Sequence, residues 1–290
     1  MNFRTKKCFN VIQFPEGFKE EDRIKCKTDC CDAQLKLASL IDNDNYQNDV
    51  TGITIKKADL SDIVEFEITN CDDPNTPLPL LGEIGNYPQD DLATGFIFVW
   101  KEYLAAYGEG KYNINVNFTI SGVVGGYLYG QYELQKYSIQ SARHTFRVWS
   151  EFKSYFQKQN IDFTDSNFKD SIRAFGFFGN RQTKTEINNL ISAGRKVEKV
   201  TRENLNEYKL TTDPVSITIS RQLLNFHFLN EDVTLISDHN RHNHDYLLFD
   251  VPVVLEETPE IEYQSRNRGA TITATFGDRN KLSKSFYNVK

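Results

Sequence analysis

From Tyr112 to Ile120 the chain reads Tyr112-Asn-Ile-Asn-Val-Asn-Phe-Thr-Ile120, apolar and polar residues alternating at every step. Successive side chains of a strand point to opposite faces, so this segment hides one face and wets the other. Such a pattern belongs to an antiparallel sheet lying on a core.

The same period recurs on both sides of that segment. In the first half, Phe9–Phe14 and Ala33–Ile41 are expected strands, the second placing Leu35, Leu37 and Ser39 on one face. Asp42–Asp49 is polar throughout and reads as an exposed loop. Ile53 and Ile55 alternate, then Val64, Phe66 and Ile68, and the prolines of the Asp72–Pro77 stretch mark a turn or surface loop. Phe96–Trp100 predicts a strand, followed by a short helix through Tyr107 that Gly108 ends, since glycine tolerates the left-handed cap. After Tyr112–Ile120, Ser121–Gly126 is expected to be the connection of a hairpin and Tyr127–Tyr137 its second strand.

In the second half, Thr145–Phe156 predicts one strand with Phe146, Val148, Ser150, Phe152 and Ser154 on one face and Trp149 on the other. Separate strands are expected at Ser171–Phe178, Thr185–Ile191, Arg195–Val200, Glu207–Thr211, Val215–Ile219, Asp232–Ile236, Tyr246–Leu255, Glu260–Gln264 and Ala270–Phe276. Thr185–Ile191 and Arg195–Val200 are paired through a turn at Ser192–Gly194. One amphipathic helix is expected at Ser220–Leu229, Ser220 as its N-cap and Leu223, Leu224, His227 and Phe228 facing inward. The predicted fold is therefore mainly β: two antiparallel sandwich- or barrel-like domains with one or two short helices.

Composition sharpens this. At 290 residues with 39% hydrophobic content, 21 Phe and 14 Tyr, the chain can fill two aromatic cores. Residues 1–140 hold 13 Lys/Arg against 21 Asp/Glu, and residues 141–290 hold 21 against 19. That asymmetry places the expected division into domains 1–140 and 141–290. Neither half has the basic excess of a nucleic-acid-binding protein. No apolar run is long enough for a membrane span, and no apolar core follows the charged amino terminus, so neither a span nor a signal peptide is expected.

Candidate chemistry is confined to two clusters. Cys26, Cys30 and Cys31, with Cys8 or Cys71 as a fourth ligand, have the density of a structural zinc site, which four thiolates would close to catalysis. The paired Cys-x-x-Cys knuckles of common zinc modules are missing, which favours ordinary thiols and no cofactor. His239, His242 and His244 crowd one polar stretch, and with Asp238 or Asp245 they would suit a hydrolytic metal site. The bland reading is an Asn/Asp-rich loop, because no general base stands at helical spacing beside them. His144 and His227 sit beside aromatic residues and read as packing residues. No Gly-x-Ser-x-Gly elbow occurs, and Ser121–Gly126 lacks the Lys-Ser/Thr of a phosphate loop. Stacking aromatics cannot be told from core aromatics here, so a carbohydrate-binding module, or a metal-dependent hydrolase using His239, His242 and His244, is the alternative to a structural role.

Several strings carry a family likeness. Phe175-Gly-Phe-Phe-Gly-Asn-Arg181, Glu186-Ile-Asn-Asn-Leu190, Lys199-Val-Thr-Arg-Glu-Asn-Leu-Asn-Glu-Tyr208, the Val215–Leu229 segment and Val233-Thr-Leu-Ile-Ser-Asp-His-Asn240 resemble structural proteins of tailed bacteriophages infecting Bacteroidota. Trp100-Lys-Glu-Tyr-Leu-Ala-Ala-Tyr-Gly-Glu-Gly-Lys-Tyr112 is similar to segments of the same proteins. The resemblance implies a distal-tail or baseplate subunit of the virion, made in the host cytoplasm. It would form a ring, often sixfold, with itself and bind other tail proteins, linking tail tube to adsorption apparatus. It implies no catalytic residues.

Overall fold

The computed structural model describes residues 11–13, 33–38, 47–57, 59–88, 90–120, 122–156, 160–191, 197–238, 250–264, 269–279 and 282–284. Strands dominate, and they assemble into a sandwich followed by a closed barrel.

The sandwich is built from β1 (Val11–Gln13), β2 (Gln34–Ala38), β3 (Val50–Lys56), β4 (Ile63–Asn70), β5 (Asp73–Leu78), β6 (Gly82–Gly85), β7 (Ala93–Val99), β8 (Gly110–Ile120) and β9 (Val123–Lys136). One sheet runs β1-β3-β7-β6 and the other β2-β9-β8-β4-β5. Two pairs depart from the antiparallel rule: β1 lies parallel to β3, and β2 parallel to β9. Between the sheets lie Ile53, Ile55, Ile68, Phe98, Ile114, Val116 and Phe118. Burial along β8 alternates residue by residue, as its sequence dictates. Helix α1 (Trp100–Tyr107) buries Trp100 and Tyr103 in the same core, and Gly108 closes it at φ 84° with its N–H on the Leu104 carbonyl. Trp100 thus opens the helix and does not end the strand.

The β8–β9 connection is tighter than the sequence suggests. Ile120 pairs directly with Val123, so Gly125 and Gly126 belong to β9. Gly125 lies against the Phe118 ring, where a Cβ would meet ring carbons at 2.6 and 2.7 Å. That close approach, not a loop, explains the glycine.

The second unit comprises β10 (Thr145–Glu151), the ribbon β11 (Tyr155–Phe156) and β12 (Ile161–Asp162), β13 (Lys169–Ile191), β14 (Val197–Thr212), β15 (Val215–Ser216), α2 (Ile217–Gln222), β16 (Val233–Asp238), β17 (Val251–Leu255), β18 (Glu260–Gln264), β19 (Gly269–Asp278) and β20 (Leu282–Lys284). Following the pairings β10-β13-β14-β19-β17-β16 returns to β10, which closes a six-stranded antiparallel barrel. A barrel this narrow is filled by its own side chains. Here they are Phe146, Val148, Ile172, Phe178, Leu210, Ile236, Val253, Ile272 and Phe276.

Three expectations are corrected in the barrel. The strand expected over Thr145–Phe156 stops at Glu151, and Phe152 turns away to join Trp149 in a third cluster. The expected strands at Ser171–Phe178 and Thr185–Ile191 are one 23-residue strand, and Arg195–Val200 and Glu207–Thr211 merge likewise into β14. The helix is capped by Ser216, whose hydroxyl accepts from the Ile219 N–H at 3.3 Å, four residues before the expected cap. Its second half is a π turn, Leu223–His227, in which the Phe228 N–H reaches the Leu223 carbonyl at 2.9 Å. The wider turn rotates Phe226 inward beside His227, a face no 3.6-residue period predicts.

The third cluster spans both units. Val50, Tyr87 and Ile97 of the sandwich meet Trp149, Phe152, Ile161, Phe163, Phe168 and Phe226. Within it, Phe152 stacks on Phe226 at 4.2 Å and Phe163 on Phe168 at 5.0 Å. Among the described residues, no helix is long and apolar enough to cross a membrane.

Candidate functional site

Beside the third cluster lies a buried network of charges across the seam between sandwich and barrel. Asp49, just ahead of β3, supplies its centre. Arg173 of β13 grips it bidentately, Nε to Oδ2 and Nη2 to Oδ1, both at 3.0 Å. The Leu37 N–H donates to Oδ2 at 2.8 Å, and Arg147 Nη1 of β10 reaches Oδ1 at 3.4 Å. Arg147 also donates to the Gln47 carbonyl, to Ser237 and to Asp250. Lys36 of β2 donates to the carbonyls of Val50 and Ser171, with its ammonium 5.6 Å from the centre of the Tyr132 ring.

Burial and charge work against each other here. Burial raises the Asp49 carboxyl, but Arg173 and Arg147 outweigh it and hold it at about 2. Burial also pulls Lys36 down to about 8, against the opposing charges of Asp170 and Asp49. Replacing such ions with apolar residues is often neutral in stability, whereas removing one partner is costly. The geometry therefore specifies how the two units sit on each other. Every partner of Lys36 and Arg173 must be in register for the charges to be met.

A second layer lies on the face of β10 that carries Phe146 and Val148. Ser150 Oγ is 2.9 Å from His227 Nδ1, and His227 Nε2 is 3.1 Å from Asp170 Oδ2. Gln222 Nε2 donates to the same oxygen at 3.1 Å, and the Gly52 N–H donates to Asp170 Oδ1 at 3.2 Å. Nucleophile, base and orienting carboxylate in hydrogen-bonded order are the parts of a hydrolase relay. Ser150 and His227, however, are both 0% exposed, and a relay needs its hydroxyl open to a substrate carbonyl. Sealed in this way, the three side chains close the end of the barrel and tie it to β3. His227 packs against Phe226 and Phe152, as its sequence neighbourhood suggests, and is a hydrogen-bonding centre besides. His144 holds a left-handed turn at φ 61°, its carbonyl accepting from the Gly176 N–H.

Three surface clefts lined by described residues lie elsewhere. One of about 450 Å³ runs along Ser154, Tyr155, Phe156 and Leu229–Asp232. One of about 360 Å³ sits between Ala33–Leu35, Phe175 and Pro214–Ile219. A polar groove of about 470 Å³ crosses Glu207, Lys209, Glu257, Glu260 and Thr273. Neither Ser150 nor His227 lines any of them.

Of the residues that the sequence marks for metal, Cys8, Cys26, Cys30, Cys31, His239, His242 and His244 lie outside the described residues. Cys71 stands half-buried in the β4–β5 turn, its N–H on the Lys111 carbonyl and its sulfur accepting from Gln131 Nε2 at 3.1 Å. Among the described residues, no group of three or more His, Cys, Asp or Glu side chains is arranged to hold a metal ion. Asp238, which flanks the histidine run, is buried at the end of β16 opposite Phe146.

Sequence reasoning overlooked the network for a definable reason. Asp49 ends a stretch that reads as exposed loop, yet it is fully buried, and Lys36 interrupts an apolar strand as a solvent-facing residue would. Their partners in the barrel lie 98 to 135 residues away, beyond any local period. No protein-family model matches the chain, and no curated protein matches it.

Proposed function

We propose that this chain is a non-enzymatic structural subunit of a virion, a ring-forming tail or baseplate component linking tail tube to adsorption apparatus. The observation that carries the reading is the β13–β14 hairpin. Its pairing runs on past the barrel, from Gln182 opposite Glu207 to Ile191 opposite Val197. Ten residues of extended chain reach roughly 30 Å. Among the described residues this outer part pairs with nothing further except Gly277 of β19, beside Glu207 at its base, and the three-residue β20, which covers one edge of β14. A two-stranded ribbon is marginal alone in water and gains its stability by lying on another surface. A subunit that offers such an arm on one side and a receiving surface on another makes a heterologous contact, and such contacts close into rings. The likeness of the Phe175–Tyr208 strings to phage structural proteins falls on this same hairpin.

Light scattering on a sizing column, with negative-stain microscopy of the eluted peak, tests this. A discrete multiple of the chain mass with ring-shaped particles is expected; one-chain mass at every concentration overturns it.

A second reading rests on the cleft beside Tyr155. That ring is 53% exposed next to Asn230, Glu231 and Asp232, an aromatic-and-amide arrangement suited to stacking a sugar. A glycan array with wild type and Tyr155→Ala tests carbohydrate binding, which is dismissed if no glycan is retained or if the variant retains it equally.

A further inference from the structure

We infer that β18 is a docking edge, which takes up as an added strand an extended segment of a partner polypeptide in which basic and apolar residues alternate. The edge serves such a partner whether or not the chain closes into a ring.

The strand stands off the barrel. Among the described residues, β18 pairs with β19 alone, and its outer side pairs with nothing. The ladder fixes which backbone groups that side presents. Thr273 of β19 pairs with Thr211 of β14 on one flank and with Glu260 of β18 on the other. The Ile272 N–H donates to Thr212 Oγ1 at 2.9 Å, on the β14 flank. The Thr275 carbonyl turns the other way and accepts from the Glu256 N–H. Backbone groups of an antiparallel ladder alternate in direction, so Glu260 and Glu262 exchange their bonds with Thr273 and Thr271. Ile261 and Tyr263 therefore aim their N–H and C=O groups outward, where an incoming strand can meet them.

The terminal strands of the sandwich are blunted by comparison. Pro74 and Pro77 remove two donors from β5, β6 has four residues and β1 three, and the Leu37 N–H of β2 is taken by Asp49. β18 holds neither proline nor glycine, and Glu260, Ile261, Glu262 and Tyr263 are all exposed.

Its two faces define the occupant. On one, Ile261 lies opposite Ile272 and Tyr263 opposite Ala270, both fully buried residues of β19. Ile261 and Tyr263, the latter 68% exposed, thus carry an apolar row from the barrel interior out to solvent. On the other face, Glu260 opens on the polar groove that holds Glu207 and Glu257, with Glu262 next along the strand. Among the described residues lining that groove, Lys209 is the one cation. A strand laid along this edge sets alternate side chains beside Ile261 and Tyr263 and the others beside the glutamates. Apolar residues suit the first set, and Lys or Arg the second. A second copy of β18 does not fit. Antiparallel self-pairing centred on Ile261 sets Glu260 against Glu262, and centred on Glu262 it sets that carboxylate against itself, where like charges repel. Centred on Tyr263, it overlaps only residues 262–264 of each strand.

The test is fluorescence anisotropy at low salt, with the full chain and a labelled, end-capped Lys-Val-Lys-Val-Lys-Val-Lys peptide. Its valines are the residues that bond to Ile261 and Tyr263, so N-methylation of the valine amides should weaken binding by about tenfold or more. N-methylation of the lysine amides should leave binding unchanged. The block peptide Lys-Lys-Lys-Lys-Val-Val-Val should bind about tenfold more weakly than the alternating one. The reversal E260K/E262K, on two exposed side chains, should lose the Lys-Val peptide and gain Glu-Val-Glu-Val-Glu-Val-Glu, with the urea midpoint of wild type. If that midpoint falls, the peptide series, which needs no variant, decides. No binding of the alternating peptide at protein concentrations up to about 100 μM overturns the proposal. Equal binding of the valine-methylated or the block peptide overturns it too, since charge attraction alone would then account for the signal. Binding unmoved by E260K/E262K in a folded variant places the site elsewhere. A wild-type dimer in light scattering that Tyr263→Asp dissociates, with the peptide unbound, makes the occupant a second copy and overturns the assignment of the partner.

Discussion

Asp49→Asn is the sharpest probe of the seam, since it keeps the shape of the side chain and removes its charge. Both oxygens of Asp49 accept only from donors: Leu37 N–H and Arg173 Nε on one, Arg173 Nη2 and Arg147 Nη1 on the other. Whichever way the amide turns, its NH₂ group faces donors and leaves them unmet. The lowering of the carboxyl from 3.8 to about 2 corresponds to about 2 kcal/mol at neutral pH. Stranding two buried guanidinium groups raises the expected loss to about 3–5 kcal/mol. The pH dependence has a definite sign. The folded value lies below the unfolded one, so the contribution is complete above 3.8 and disappears as pH falls through about 2. Urea unfolding of wild type and variant at pH 7 should show the full gap, and at pH 3 the gap should narrow by about 1 kcal/mol. A gap under about 1 kcal/mol at neutral pH, or one unchanged at pH 3, refutes the claim that Asp49 is a buried anion held by two arginines.

Lys36→Met reads the network from the alkaline side. The folded value of about 8 lies below the unfolded 10.5, so the folded chain holds fewer protons in that window and wild-type stability rises through it. Relative to the Met variant, wild type should gain about 2 kcal/mol between pH 8 and pH 10 in urea unfolding, and parallel profiles would exclude the assignment. Gly52→Ala places a Cβ 2.2 Å from the Lys169 carbonyl and 2.8 Å from the Phe168 ring, where β3 crosses the start of β13. A lower melting temperature equivalent to about 1–3 kcal/mol is expected, and an unchanged melt would mean that the seam yields. A fluorophosphonate probe, which labels serines activated by a histidine, should leave Ser150 unmodified in the folded protein. Labelling found there by mass spectrometry would reopen the hydrolase reading.

Much of the architecture was legible because burial imposes a short period on the chain. Tyr112–Ile120 and its partner strand, the helix ended by Gly108, and the strands at Glu260–Gln264 and Ala270–Phe276 all follow from neighbours in sequence. The long hairpin was seen only in fragments. Bulges at Gly179/Gln182 and Asn188/Asn189 break the alternation where the strands themselves continue. The charged seam was illegible for a different reason. Lys36, Asp49, Arg147 and Arg173 look like solvated residues until the sandwich is set on the barrel, and no local rule places it there. The π turn hid Phe226 by the same logic, since one extra residue in a turn resets the face that a periodic reading assigns.

The parallel pairing of β2 with β9, and the reach of Lys36 to Ser171, also govern the order of events during synthesis. When the ribosome has released the strands up to β9, the sandwich can close, but the Lys36 ammonium and the Asp49 carboxylate still lack Ser171 and Arg173. The nascent chain therefore carries two unmatched charges and the open half of an aromatic cluster until β13 has emerged. Contacts over more than a hundred residues are slow to form, so a translation pause between the release of β9 and that of β13 would prolong the interval in which the growing polypeptide is open to premature association.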